Sequence, residues 1–291
     1  MSADAFSGLR ISIVTPCLNQ GDTIEAAMRS VLDQADAGVE YIVVDGGSTD
    51  GTLDVIKRYA DKLAWWVSEP DRGQSQALNK GFAHATGDVI CWLNADDLLM
   101  PGVIAKVRAE FERSDCDLLC GSCRYEYSNG ETVTRPVTQR EVEHLDVYDP
   151  IHQPSCFWRR QLHVQVGGLD ERLTYGMDWD LWLRLVEEGA RVHIIDDVLS
   201  VYRISGTNKT SVGGERRNVE MYRILRRYNE GSARLLADLG YRVLWPLKRM
   251  RRRSPGWFFR PVSNTARTTL LMALGPIFGF RRVRRCTHPF S

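Results

Sequence analysis

The sequence predicts an α/β fold, a mostly parallel β-sheet flanked by helices, with a basic helical extension at its C-terminal end. Apolar runs of strand length alternate with amphipathic segments across short connections, as in a sheet covered on both faces. Several of those runs stop in turn residues or carboxylates, and open α/β sheets bind ligands at such strand ends. Charge divides the chain: the net is +1, yet residues 241–291 carry twelve Lys or Arg and no Asp or Glu, which leaves 26 basic against 37 acidic residues before them. Residues 1–210 are assigned to the sheet domain and 211–291 to the extension.

Ile11 to Thr15 reads as the first strand, and Ile24 to Leu32 as a helix with apolar positions at helical spacing. Glu40 to Asp45 is the second strand. It stops in the turn-rich Gly46-Gly47-Ser48-Thr49-Asp50-Gly51, before a helix over Thr52 to Ala60. A third strand is expected near Leu63 to Val67, a helix at Ser75 to Ala85, and a fourth strand at Asp88 to Leu93. Beyond it come a helix from Gly102 to Arg113, the apolar Leu118-Leu119-Cys120, and a less regular stretch from Tyr125 to Pro150. A helical segment resumes around Arg159 to Val166, a second spans Trp179 to Glu188, and Arg191 to Arg203 reads as a final strand or strand pair.

Hydrophobic residues make up 43% and charged residues 26%, a globular balance that excludes wholesale disorder. Seven scattered cysteines suit a reducing compartment better than a disulfide framework. Cys116, Cys120 and Cys123 lie close together, but no fourth zinc ligand stands at a sensible spacing. Met1 to Arg10 lacks an apolar core flanked by basic residues, so no secretory signal is expected.

The fourth strand ends in Asn94-Ala95-Asp96-Asp97. Two adjacent carboxylates repel and resist leaving water, so a divalent cation or a hydrogen-bonding ligand would stabilise them. The competing reading is that they cap the next helix. Thr15-Pro16-Cys17-Leu18-Asn19 and Asp45-Gly46-Gly47-Ser48 close the first two strands and should open on the same edge, where a nucleotide could lie. For Asp45, a plain strand-to-helix turn is the alternative.

With these residues go ISIVTPCLNQ, VVDGGSTDGT, EPDRGQSQALNKGF, WLNADD and GMDWDLWLRL, and their order and spacing over roughly residues 10 to 205 resemble family 2 inverting glycosyltransferases of the GT-A fold. The resemblance implies that Asp96 or Asp97 holds Mg²⁺ or Mn²⁺ against a nucleotide-sugar diphosphate, with Asn94 in place of the first acidic residue. It implies that Thr15, Pro16, Asn19 and Asp45 line the base and ribose pocket, and that Arg72, Gly73 and Asn79 lie near the nucleotide or donor sugar. Arg72 reads equally well as a solvated loop charge. Asp178 matches the general base, with Met177 where a Glu commonly stands; Asp180 competes for the role, and helix capping is the alternative for both. His152 and Gln153 are candidates for the acceptor site, and Ser205 replaces the usual His of a Tyr-Arg-x-His ending.

The implied function is sugar transfer from a nucleotide-diphosphate donor to a glycan or lipid-linked glycan hydroxyl, in cell-surface polysaccharide synthesis. A non-catalytic nucleotide-sugar-binding or scaffold subunit on the same fold is the alternative. In the extension, Arg clusters flank aromatic and aliphatic blocks, and the apolar stretch at 268–280 falls short of the roughly 20 residues a spanning helix needs. The expectation is a cytoplasmic protein held peripherally on the anionic inner face of the membrane. Packing on the catalytic domain and an oligomer interface are the alternatives, and no nucleic-acid partner is expected.

Overall fold

The structure is a computed structural model that describes residues 8–36, 38–205, 208–209 and 213–244. The basic and apolar blocks expected between Lys248 and Arg285 lie outside the described residues. Two compact units emerge, one within Met1–Val142 and Pro150–Asn208, the other within Glu143–Asp149 and Lys209–Ser291.

The first unit holds a mixed sheet. Strands β1 (Ile11–Cys17), β2 (Val39–Asp45), β3 (Trp65–Ser68) and β4 (Val89–Trp92) pair in parallel in the order β3-β2-β1-β4. Helices α1 (Ile24–Leu32), α2 (Thr52–Arg58) and α3 (Gln74–His84) connect them. Every residue of β1 is buried, Ser12 and Thr15 included, as befits a central strand covered on both faces. Cys17 pairs with Asp45, so the ends of β1 and β2 are level. α3 sits close on the sheet because Gly81 has no side chain: a Cβ there would come 2.4 Å from Val14 Cγ1.

Beyond β4, direction alternates. β5 (Leu98–Leu99), β6 (Leu118–Tyr127), β7 (Thr132–Arg135), β8 (Cys156–Arg159) and β9 (Val192–Ile204) extend the sheet, β8 lying antiparallel between β4 and β6 while β9 pairs in parallel with β6. Two reversals restore the original direction. The carboxyl ends of β6 and β9 therefore emerge on the same edge as those of β1, β2 and β4. Three helices complete the set that positions the site: α4 (Val103–Arg113), α6 (Arg160–Gln165) and α7 (Met177–Glu187), with the single turn α5 (Gln139–Val142) between α4 and α6.

Phe157 and Trp158 form β8, which runs directly into α6 with no turn residue between them. One expectation is corrected. Asp96 and Asp97 do not cap a helix: Leu98–Leu99 forms β5 against β9, and α4 begins only after Gly102 in the left-handed region. The core behind the site is aromatic. Trp92 of β4 stacks on Trp182 of α7 at 5.8 Å, and Trp158 meets both rings edge-on. Trp158 Nε1 donates to His163 Nδ1 at 3.4 Å, and burial, reinforced by Arg184, lowers the His163 pKa to about 4.

In the second unit, α8 (Gly214–Tyr228) and α9 (Gly231–Leu239) are joined by an Arg226–Asp238 ion pair at 3.6 Å. Tyr222 stacks on Tyr241 at 4.2 Å. No helix among the described residues is long and apolar enough to cross a membrane.

Candidate active site

At the ends of β1 and β2 the loops are tied to each other. Asn19, at φ 52°, donates its N–H to Ser48 Oγ at 2.8 Å and accepts from Thr49 N at 2.9 Å through Oδ1. Thr15 Oγ1 and Tyr41 OH form a buried pair at 2.9 Å, and Pro16 lies in register with Val44. Asp45 is fully buried, yet its oxygens accept from Ser48 N, Ser48 Oγ and Ser68 Oγ. Hydroxyls and an amide do for this carboxylate what water would have done.

The end of β4 is different. Asp97 is fully buried and Asp96 half-buried. Burial raises the pKa of Asp96 and, with the Asp96 charge added, pushes that of Asp97 well above the usual carboxylate range. Asp97 accepts from Asn94 Nδ2 at 3.1 Å and from Arg203 N at 3.3 Å. Asp96 Oδ2 accepts from Asn208 Nδ2 at 2.9 Å, and its carbonyl accepts from Arg203 Nε at 2.7 Å. These contacts do not offset the cost of two adjacent buried charges, so added positive charge suits the pair. No group of three or more His, Cys, Asp or Glu with metal-site geometry occurs among the described residues. Two carboxylates, completed by water and the phosphate oxygens of a substrate, nevertheless match how Mg²⁺ and its relatives are commonly held.

Amides link this end to its surroundings. Gln74 Nε2 donates to Asn94 Oδ1 at 2.7 Å, and Asn94 Nδ2 also reaches Gln153 Oε1 at 3.1 Å. Gln153 donates in turn to the Trp92 carbonyl at 2.7 Å, so it braces Asn94. His152 contacts Tyr125 OH through Nδ1 at 3.2 Å, and burial lowers its pKa.

At the start of α7, the two aspartates separate by burial. Asp180 is 1% exposed and pairs with Arg184 at 2.8 Å, which ties it to the helix. Asp178 is half-buried and accepts from Trp179 N at 2.8 Å. Met177 packs inward against Ser75 Oγ at 2.8 Å. Nearby, Arg72 is exposed and pairs with Glu171 at 2.8 Å, while Gly73 begins α3 at φ 130°. Both ends of the Asn79 amide engage Leu169, fixing the loop before α7.

Three consecutive residues at the start of α3 thus connect the clusters. Gly73 N donates to Asp71, whose carboxylate lies over the β2 turn; Gln74 reaches Asn94; Ser75 reaches Leu173 and Met177 beside Asp178. Asp71, Gln74, Arg203 and Asn208 were not singled out as site residues in the sequence, although Asp71 and Gln74 lie in the EPDRGQSQALNKGF segment and Arg203 in the Tyr-Arg ending.

Comparison with known proteins agrees with this architecture. The sequence model of Glycosyl transferase family 2 matches residues 12–166. A PGL/p-HBAD biosynthesis glycosyltransferase of Mycobacterium bovis is 30% identical over 218 residues, covering 70% of this chain and 81% of its own. An uncharacterized glycosyltransferase of Rickettsia typhi is 28% identical over 224 residues, 72% of this chain and 69% of its own. Among solved structures, S. aureus TarS 1–349 in complex with UDP-GlcNAc superposes with a TM-score of 0.63 at 15% identity, over 96% of this chain and 91% of that one. The mannosyltransferase PcManGT of Pyrobaculum calidifontis, in complex with GDP-Man and Mn²⁺, gives 0.61 at 19% identity, over 97% and 85%. These structures share the GT-A fold, and the chain belongs to glycosyl transferase family 2.

Proposed function

We propose that this glycosyltransferase is metal-dependent and inverting, and that it moves a sugar from a nucleotide-diphosphate donor to a hydroxyl of a glycan or lipid-linked glycan in cell-surface polysaccharide synthesis. The observation that carries the reading is the buried Asp96–Asp97 pair, whose charge the protein leaves undercompensated at the rim where β1, β2, β4 and β9 end. The UDP-GlcNAc, GDP-Man and Mn²⁺ bound by the two structural neighbours support the donor class and the ion.

In this reading Thr15, Pro16, Asn19 and Asp45 form the base and ribose wall, while Arg72, Gly73, Asn79 and Asn94 border the donor. Asp96 and Asp97 would hold Mg²⁺ or Mn²⁺, which neutralises the diphosphate as it leaves. Asp96, the more exposed of the two, is the better placed to meet the ion directly. The acceptor hydroxyl attacks the anomeric carbon as the bond from that carbon to the phosphate oxygen breaks, and Asp178 takes the hydroxyl proton. Its half-buried place beside Trp179 suits a general base. His152 and Gln153 border the acceptor side, Gln153 acting through Asn94.

Asp178→Asn is expected to retain donor binding and to lower transfer by about 10³-fold, within the usual range for a general base. Near-native turnover would remove the assignment. For the C-terminal extension the proposal is attachment to an anionic membrane surface, supported by composition alone. Co-sedimentation with anionic vesicles should fall when Arg281, Arg282, Arg284 and Arg285 are replaced by Ser, and unchanged binding refutes it.

A further inference from the structure

The two carboxylates beside the β2 turn differ in what they can still bind. Asp45 has both oxygens occupied by Ser48 and Ser68 and is fully buried. Asp71 is half-buried, makes no ion pair among the described residues, and uses only Oδ1, which accepts from Gly73 N at 2.8 Å. Its Oδ2 has no hydrogen-bond partner among the described residues.

The Asp71 carboxylate is also placed deliberately close to the strand end. A Cβ built on Gly46 would come 2.5 Å from Asp71 Oδ2, so the carboxylate occupies the space that a side chain at position 46 would fill. Gly47, at φ 86°, lies close to Pro70, whose N would be 3.3 Å from a Cβ built there, and Glu69 N donates to the Asp45 carbonyl at 3.0 Å. The pair of glycines therefore brings an open carboxylate oxygen against the turn where the nucleotide is proposed to lie.

From this we infer that Asp71 reads the base of the donor, accepting the ring N–H of a lactam-type base. Uracil and guanine carry that N–H on the pairing edge. Cytosine and adenine present a bare ring nitrogen there, whose lone pair would face the carboxylate and leave two polar groups unpaired. A site built around such a hydrogen bond rejects the base that lacks it. This inference rests on the nucleotide-sugar reading and narrows its donors to diphosphates of uridine, thymidine or guanosine, thymine carrying the same ring N–H as uracil.

Calorimetric titration of the full-length protein with UDP, GDP, CDP and ADP in the presence of Mn²⁺ provides the test. Wild type should bind UDP or GDP at least about ten-fold more tightly than CDP and ADP, with the relative strength of UDP and GDP distinguishing the two sources. Asp71→Leu, which removes both acceptor oxygens at similar size, should erase that ratio by weakening UDP and GDP relative to CDP and ADP. Gly46→Ala, which displaces the carboxylate while keeping Asp71, should erase the ratio independently of any effect of the Leu substitution. An unchanged ratio in Asp71→Leu, or equal weakening of all four nucleotides as expected of a ribose contact, overturns the inference alone. Failure of wild type to bind any of the four overturns it together with the nucleotide-sugar reading.

Discussion

The carboxylate at the end of β2 and the pair at the end of β4 are both buried, and their surroundings treat them oppositely. Asp45 is closed off by two serines and an amide within its own turn and the neighbouring strand. Asp96 and Asp97 share amides and one arginine, and burial still drives both toward the neutral form. A carboxylate satisfied by fixed dipoles shapes a loop. One that burial drives toward its neutral form marks a place where added positive charge would be stabilising.

The largest expected break in that comparison is Asp96→Ala. Mn²⁺-dependent nucleotide-diphosphate binding, followed by calorimetry, should fall by more than about 100-fold if Asp96 supplies a metal ligand. Asp45→Asn should leave the Mn²⁺ dependence intact and lower unfolding stability by about 2 kcal/mol in urea titrations, since charge-assisted hydrogen bonds are lost. A metal effect at Asp45, or none at Asp96, would erase the distinction.

Asn208 sharpens the contrast on a smaller scale. Its amide is 8% exposed, donates to Asp96 and to the Arg203 carbonyl at 2.9 Å each, and accepts from Ser205 N at 2.6 Å. It is a positioning residue for Asp96, standing near the point where Ser205 departs from the family pattern. Asn208→Ala should weaken Mn²⁺-dependent binding about ten-fold with little change in metal-free binding.

The smallest effect concerns a buried group that stays neutral. His163 titrates near 4 in the fold against 6.5 in the unfolded chain, so between those values the unfolded state binds more protons and stability falls as pH falls. Thermal unfolding at pH 5.5 should show a loss of about 1 kcal/mol relative to pH 7.5, and His163→Gln should remove that component.

The parallel half of the sheet was legible because β1, β2 and β3 are each followed by a helix, so local alternation carries the information. Ile24–Leu32 is a helix over the residues that the apolar spacing predicts. β8 and β5 were not legible in this way. Leu98–Leu99 is two residues long and finds its partner at Ser200 and Val201, a pairing no local window contains. The site divides similarly. The clusters at Asp45 and Asp96 stand out because carboxylates end apolar runs, and Asp178 through the family resemblance, whereas the particular contacts of Asp71 and Asn208 appear only once the chain folds against them.

Gly81 carries a consequence for how the enzyme can vary. Because α3 rests on Val14 and Val44 with no methyl between, the reach of Gly73, Gln74 and Ser75 toward three separate clusters is gauged by the thickness of one missing side chain. A bulkier residue would lift the helix like a shim under a lever. The β2 turn, the Asn94–Asp97 rim and the start of the helix that carries Asp178 would then drift out of alignment together, although none of their own residues had changed.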